Sequence, residues 1–171
     1  MTKYTRKSKV AIVGTGKLGG SLALALFASS YNVVSVFSRN LSSADKISRK
    51  INHCIPSDDI QKVVDLAEIV FITTPDDVIA DISTSINWSE GQAAIHCSGA
   101  SGIELFRGIT PSIQLGAFHP MQSFSSAKEG SKSLEGITFA IDGTEKIVEY
   151  LKDLSVTFNS KFVEISSEHK P

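Results

Sequence analysis

The sequence has little cysteine, no excess of either charge and no long hydrophobic run. Two cysteines among 171 residues are too few for a disulfide framework, and their positions lack any metal-ligand spacing. Lys and Arg number 17 against 18 Asp and Glu, so the net charge of −1 provides no basic surface for nucleic acid or an anionic membrane. The apolar runs 22–28 and 69–72 are far shorter than the ~20 residues that span a bilayer.

The N-terminal residues are basic, but a strand-like run follows them where a signal peptide needs an apolar segment and a cleavage site. We therefore expect a cytoplasmic protein whose partner is a small-molecule substrate, with no contact to nucleic acid or membrane.

Short β-branched runs alternate with segments of helical apolar spacing along the chain. Strands are predicted at 8–13, 32–37, 69–73, 93–97, 113–118, 137–141 and 162–165, with a weak strand-like segment at 51–55. Helices are predicted at 18–29, 42–50, 60–66, from Pro75 onward, at 102–106 and at 144–154. Parallel strands need crossover connections, and right-handed crossovers place helices over the sheet. The pattern predicts one doubly wound α/β domain over 1–171, with a mainly parallel sheet.

The first predicted strand runs into a G-x-G-x-x-G motif made by Gly14, Thr15, Gly16, Lys17, Leu18 and Gly19. A strand before this motif and a helix after it are the context that a dinucleotide-binding loop requires. Gly14 permits the tight turn, Gly16 lets the backbone approach a pyrophosphate, and Gly19 allows close packing of helix and strand. A glycine turn that only packs, or a methyltransferase loop, is the alternative. A methyltransferase would want a carboxylate at the end of the second strand.

That position holds Ser38 and Arg39 instead of a carboxylate. An acid about 20 residues past the loop binds the ribose hydroxyls of NAD, whereas an arginine accommodates the 2′-phosphate of NADP. We therefore predict NADP(H) as the cofactor, with Ser38 and Arg39 at its 2′-phosphate. The alternative is that Arg39 is an ordinary surface arginine.

Four segments together, 14–19, 69–77, 96–100 and 116–124, resemble the Rossmann-like half of the DUF2520 family. The resemblance implies an NADP-dependent oxidoreductase related to pyrroline-5-carboxylate reductase and prephenate dehydrogenase. Members of that family carry a second, mainly helical domain that closes the active site and makes a homodimer. The chain stops about where such a domain begins, so we expect that domain to be missing and this chain alone to turn over poorly.

The same resemblance implies that Thr74 and Pro75 line the cofactor cleft and that Ser98 and Gly99 lie near the nicotinamide ribose. These residues follow predicted strands, and ligands of open α/β sheets bind outside the carboxyl ends of the strands. Pro75 also has a purely structural interpretation, since proline is common at the first helical position.

His119 and Ser98 are the predicted polar pair nearest the reacting carbon, in which His119 exchanges the proton and Ser98 assists it. Each follows a predicted strand of a parallel sheet, so both are expected at one edge. Imidazole has an unperturbed pKa near 6.5 and exchanges protons readily near neutral pH. The resemblance of the segment to prephenate dehydrogenases, which use a histidine with a serine, indicates the same roles. The alternative is that His119 only shapes the loop, bonded to backbone.

His53 with Cys54, and His96 with Cys97, are adjacent on predicted strands. Adjacent strand side chains point to opposite faces, so we expect packing and no metal site. Burial should raise the pKa of Cys97 and leave its thiol inert. The chain is thus predicted to be the NADP(H)-binding domain of an oxidoreductase that transfers a hydride to or from a small carbonyl, imine or alcohol. A non-catalytic module that senses NADP(H) is the alternative.

Overall fold

A computed structural model describes residues 4–109, 112–121 and 130–165. Within these ranges the strands are β1 Lys9–Val13, β2 Asn32–Phe37, β3 Ile55–Ser57, β4 Ile69–Ile72, β5 Ala93–His96, β6 Gln114–Pro120, β7 Thr138–Gly143 and β8 Lys161–Glu164. The α-helices are α1 Lys17–Ala28, α2 Leu41–Ser48, α3 Ile60–Asp65, α4 Asp76–Ser85 and α5 Glu145–Thr157. Short 3₁₀ helices span Ile103–Phe106 and Gly130–Leu134. None of the described helices is long and apolar enough to cross a membrane.

The eight strands of the described ranges form one sheet in the order β3-β2-β1-β4-β5-β6-β7-β8. Every neighbouring pair is parallel except β6 with β7, which is antiparallel. The chain adds strands on one side of β1 as far as β3 and then returns to place β4 on the other side. The strand order therefore reverses between β1 and β4, where ligands of such sheets bind. The predicted doubly wound, mainly parallel sheet is confirmed.

Successive side chains of the central strands alternate between two cores, one on each face of the sheet. Ile12 of β1 packs in one core with Leu26 of α1, whereas Val13 packs in the other with Ile79 of α4. All four side chains are fully buried. Burial of each is worth roughly 1.5–3 kcal/mol. Helices on both faces therefore hold the carboxyl ends of the strands firmly in place.

Two strand predictions were wrong in their bounds. The segment 51–55 is mostly a turn closed by a hydrogen bond from the Cys54 N–H to the Ile51 carbonyl, and β3 begins only at Ile55. His53, with φ of +61°, lies in that turn, so it is not a strand neighbour of Cys54. The strand predicted at 113–118 extends to Pro120 because β7 pairs with it, His119 opposite Ala140.

A helix of the described chain covers only one face of the last strands of the sheet, β6 to β8. Helix α5 packs there through Ile147 and Leu151. On the opposite face, Val163 of β8 pairs with Ala140 and is 44% exposed. Met121, directly after β6, is 56% exposed. This face contains a cavity lined by His119 of β6 and Asp142 of β7.

Candidate functional site

The glycine loop is held against the end of β4. Gly14 has φ of +105°, which a residue with a side chain rarely adopts, and its N–H donates to the Phe37 carbonyl. The Thr73 hydroxyl donates to the carbonyls of Gly14 at 2.8 Å and Val13 at 3.1 Å. A Cβ at Gly19 would collide with the Gly14 carbonyl and the Thr73 hydroxyl. The missing side chain at Gly19 is therefore what lets α1 start directly against the loop.

Gly16 is the N-terminal cap of α1, and unlike Gly14 and Gly19 it faces open space. Apart from Gly16 itself and its neighbours in the chain, no atom of the described residues lies within 4 Å of the position that a Cβ would take at Gly16. No side chain caps the helix there, and its first turn contains no acid. The N–H groups of the first turn are thus left for an anionic ligand at the positive end of the helix.

A cavity of about 680 Å³ lies outside the ends of β1, β2 and β4. Its lining comprises Gly14, Gly16, Phe37, Ser38, Arg39, Thr73, Thr74 and Pro75, and from α4 Asp77, Val78, Asp81 and Ile82. We call it the loop cavity. Arg39 is the single cation among these residues, whereas Asp77 and Asp81 are carboxylates. The structure thus brings six of the predicted cofactor residues to one cavity: Gly14, Gly16, Ser38, Arg39, Thr74 and Pro75.

Two hydroxyls near the loop cavity lack partners. The Thr15 and Thr74 Oγ1 atoms are buried and make no hydrogen bond within the described part of the chain. A buried hydroxyl left unpaired costs about 1–3 kcal/mol. Thr74 lines the loop cavity, so a ligand rich in acceptor oxygens, such as a pyrophosphate, would satisfy its hydroxyl. The residues present therefore fit a dinucleotide cofactor.

The remaining predicted residues of the loop lie outside this cavity. Lys17 is exposed at the first position of α1, and Leu18 packs against the hydrophobic core.

Ser38, which lines the loop cavity, accepts a hydrogen bond from the Asn40 N–H at 3.3 Å. Its hydroxyl proton is therefore free to donate.

A second cavity, of about 390 Å³, lies beyond the end of β5 and over β6 and β7. Its lining comprises Ser98, Gly99, Ser101, Gly102, Ala117, His119, Met121, Ala140, Ile141, Asp142 and Ile165. We call it the histidine cavity. The predicted residues Ser98, Gly99 and His119 thus share one cavity, separate from the loop cavity. Residues 122–124, which contribute to the family resemblance, lie outside the described ranges.

Two neighbouring residues, Cys97 and Gly99, determine where the half-buried ring of His119 lies. Its Nδ1 lies 3.3 Å from the Cys97 carbonyl, and since a carbonyl only accepts, Nδ1 is the donor. In the neutral ring Nε2 then carries the lone pair. A Cβ at Gly99 would collide with the ring at Cε1 and Nε2. Glycine at 99 is therefore what admits the ring at this position.

Ser98 is 3% exposed and makes no hydrogen bond to His119 within the described residues. Its hydroxyl instead accepts from the Ala100 N–H at 3.3 Å. In the described residues the Ser98 hydroxyl therefore does not orient the His119 ring, which the Cys97 carbonyl contacts instead. Ser98 still has a hydroxyl proton to donate within the cavity.

His96 is a structural residue of this site that the sequence did not identify. Its fully buried Nδ1 accepts from the Ser98 N–H at 3.1 Å, so Nε2 carries the proton and donates to the Gly102 carbonyl at 2.8 Å. The ring therefore bridges the two ends of the loop 98–102. Its adjacency to Cys97 had indicated packing alone.

Burial raises the pKa of the Cys97 thiol to about 12, and the Asp76 carboxylate adds to the shift. The predicted rise in the pKa of Cys97 is confirmed. Among the residues that the structure describes, no group of three or more His, Cys, Asp or Glu side chains could hold a metal ion.

Residues 9–99, just over half of the chain, match the model of the family described as NADP oxidoreductase, coenzyme F420-dependent. The chain belongs to this family. The match contains β1 to β5 and every residue identified above in the lining of the loop cavity. No curated protein is similar enough to match the chain.

Solved structures share the fold of this family member. A protein of Bacteroides fragilis named as an NADP oxidoreductase is 25% identical, with a TM-score of 0.83 over 95% of this chain and 62% of its own. Prephenate dehydrogenase from A. aeolicus is 22% identical over 94% of this chain and 60% of its own, with a TM-score of 0.73. Pyrroline-5-carboxylate reductase from Streptococcus pyogenes is 14% identical over 96% and 60%, with a TM-score of 0.72. The chain thus spans about three fifths of the length of these proteins.

Proposed function

We propose that the chain is the NADP(H)-binding part of an oxidoreductase that moves a hydride between the nicotinamide and a small carbonyl, imine or alcohol substrate. The observation that carries this proposal is the loop cavity, where the glycine loop, the orphaned Thr74 hydroxyl and Arg39 meet. When bound, the nicotinamide gives or accepts the hydride.

The pyrophosphate would bind at the start of α1. The first-turn N–H groups that follow Gly16 and the Thr15 and Thr74 hydroxyls are the donors available to it. Pro75 starts α4 on the opposite wall. These donors are backbone and hydroxyl groups, so they would hold NAD(H) and NADP(H) alike.

Selection of NADP(H) is assigned to Ser38 and Arg39 after β2. Arg39 is the cation of the loop cavity, and no acid stands at the end of β2 to bind a ribose hydroxyl or repel a 2′-phosphate. Asp77 and Asp81 line the wall contributed by α4 and do not follow β2. A guanidinium binds phosphate in a bidentate fashion, which makes Arg39 the group that separates the two cofactors.

Proton exchange is assigned to His119, with Ser98 as a hydroxyl donor to the substrate oxygen or nitrogen. The Cys97 carbonyl fixes the Nδ1 proton of His119, so Nε2 is the atom that takes or gives the proton. Gly99, which lies against the His119 ring, would be near the nicotinamide ribose.

We further propose that residues 1–171 form one domain of a longer, cytoplasmic protein nearest to the DUF2520 group. Its mainly helical second domain would cover the histidine cavity and make a homodimer. The shorter length relative to the similar structures and the exposed Met121 and Val163 beside that cavity support this arrangement.

The test is a calorimetric titration of the chain with NADPH and NADH. We expect tighter binding of NADPH, and Arg39→Ala should weaken it roughly tenfold or more while changing NADH affinity little, because a charge-assisted bidentate bond is lost. Arg49→Ala is the matched control, since Arg49 is an exposed arginine that pairs with Asp45 on α2. Equal losses for both nucleotides would show that Arg39 does not read the 2′-phosphate.

A further inference from the structure

Asp142 is a carboxylate of the histidine cavity for which the hydride-transfer proposal has no use. It lies on β7 opposite Ala117 of β6, while Ala140 lies opposite His119. Side chains two residues apart on a strand share a face, so Asp142 is a diagonal neighbour of His119 on the sheet. Both line the same cavity.

One oxygen of Asp142 is satisfied and the other is not. Oδ1 accepts from the Gly143 N–H at 2.8 Å. Oδ2 is buried and has no hydrogen-bond partner within the described part of the chain. A buried carboxylate oxygen without a donor is costly, because the charged group has lost water and gained nothing in return.

The charges of the residues that line the histidine cavity indicate which kind of ligand would pair with the Asp142 carboxylate. Among the described residues that line the cavity, Asp142 is the one with a formal charge, and none is Lys or Arg. The two serine hydroxyls that share the cavity are neutral groups that donate and accept hydrogen bonds. A ligand that carries a positive charge would therefore complement the site, whereas a ligand carboxylate would meet an unpaired like charge.

We propose that Asp142 binds a positively charged nitrogen of the substrate through Oδ2, so that the substrate is an amine or a protonated imine and not a carboxylic acid at that position. The inference rests on the proposed function, because it assigns the histidine cavity to the substrate. Asp142 is the specificity residue of the cavity, and His119 beside it exchanges the proton.

The first measurement compares three ligands of one ring size on the full chain saturated with NADPH: cyclopentylamine, cyclopentanol and cyclopentanecarboxylate. None reacts with the reduced cofactor, so calorimetry reports binding alone. The amine is cationic at pH 7, and we expect it to bind at least tenfold more tightly than the alcohol, with the carboxylate weakest. This ranking needs no variant and so does not depend on how a substitution affects folding.

The second measurement repeats the series on Asp142→Asn, which keeps the shape and the Gly143 contact while removing the charge. Cyclopentylamine affinity should fall roughly tenfold to a hundredfold, with NADPH affinity unchanged. Asp153→Asn, which removes an exposed carboxylate from α5, is the matched control and should change neither.

The outcomes separate the two proposals. A chain that binds no NADPH refutes the proposed function, and this inference with it. NADPH binding without amine binding, or with equal or tighter binding of the alcohol or the carboxylate, refutes the inference alone. Loss of NADPH affinity in Asp142→Asn would assign Oδ2 to the cofactor's own carboxamide and would also refute it.

Discussion

The loop cavity and the histidine cavity differ in what their walls are made of. The loop cavity is bounded by the starts of α1 and α4, and its donors include backbone N–H groups and the unpaired hydroxyl of Thr74. The histidine cavity lies over β6 and β7, where no described helix covers the sheet, and its polar side chains are those of His119, Asp142, Ser98 and Ser101.

This difference separates two kinds of recognition. Backbone donors at a helix start bind any ligand with the same phosphate geometry, so the loop cavity is suited to a cofactor shared by many reactions. Side chains on a sheet face can be exchanged without rebuilding the fold, so the histidine cavity is where specificity and proton chemistry would reside. Substitutions in the first should change whether the cofactor binds, and substitutions in the second should change what reacts.

Two glycine substitutions should have the largest effects. Gly16→Val places its side chain in space that is empty in the structure, so we expect loss of both nucleotides with an unchanged Tm. Gly19→Ala forces a Cβ onto the Gly14 carbonyl, and we expect about 1–3 kcal/mol of lost stability together with weaker nucleotide binding. Calorimetry and thermal unfolding measure the two effects. A destabilised Gly16→Val protein would contradict the assignment of that space to a ligand.

His119→Asn should lower the turnover rate by roughly 10²–10⁴ with NADPH affinity nearly unchanged, because asparagine cannot exchange the proton. The measurement uses the full-length protein and a substrate of the class inferred above, with steady-state rates and NADPH titration in parallel. A variant that keeps full activity would remove His119 from the chemistry. One that loses folding or cofactor binding would assign it a structural role instead.

Gly99→Ala should act on the same ring through geometry. The added Cβ overlaps the ring of His119, which must shift, and we expect turnover to fall roughly tenfold to a hundredfold. The Nδ1 contact to the Cys97 carbonyl would be displaced with the ring. An unchanged rate would show that the ring position is not critical.

The smallest effect expected is on stability at alkaline pH. Burial raises the pKa of Cys97 from about 9 to about 12 and holds the pKa of Tyr150 well above 10. The folded chain then keeps protons on these groups that the unfolded chain has lost above about pH 9, so their contribution to the free energy of unfolding is fully present below that pH and falls above it. Thermal unfolding from pH 7 to 11 measures this. Cys97→Ala should flatten the first part of the decline, and an identical slope would contradict the account.

The sequence predicted the loop cavity better than the histidine cavity for a physical reason. Gly14, Gly16 and Gly19 lie within six residues, so their spacing and the flanking strand and helix determine their geometry locally. Thr74 and Arg39 follow strands whose positions the α/β alternation predicts.

The histidine cavity depends on pairing that is not local. The antiparallel addition of β7 extends β6 through His119 and places Asp142 beside it, although the two are 23 positions apart in the chain. No sequence motif predicts the pairing of β6 with β7. The role of His96 in joining Ser98 to Gly102 likewise depends on how a loop turns back on a strand.

We propose that one dinucleotide links the two cavities, with its adenosine half in the loop cavity and its nicotinamide beside the substrate near His119. Proton NMR of the His119 ring tests it most directly, with the signal assigned by comparison with His119→Asn. We expect NADP⁺ to shift the ring signals of His119, while 2′,5′-ADP, which lacks the nicotinamide, binds in competition with NADP⁺ and leaves those signals unmoved. Binding of NADP⁺ without any shift at His119, or equal shifts with 2′,5′-ADP, would contradict the account.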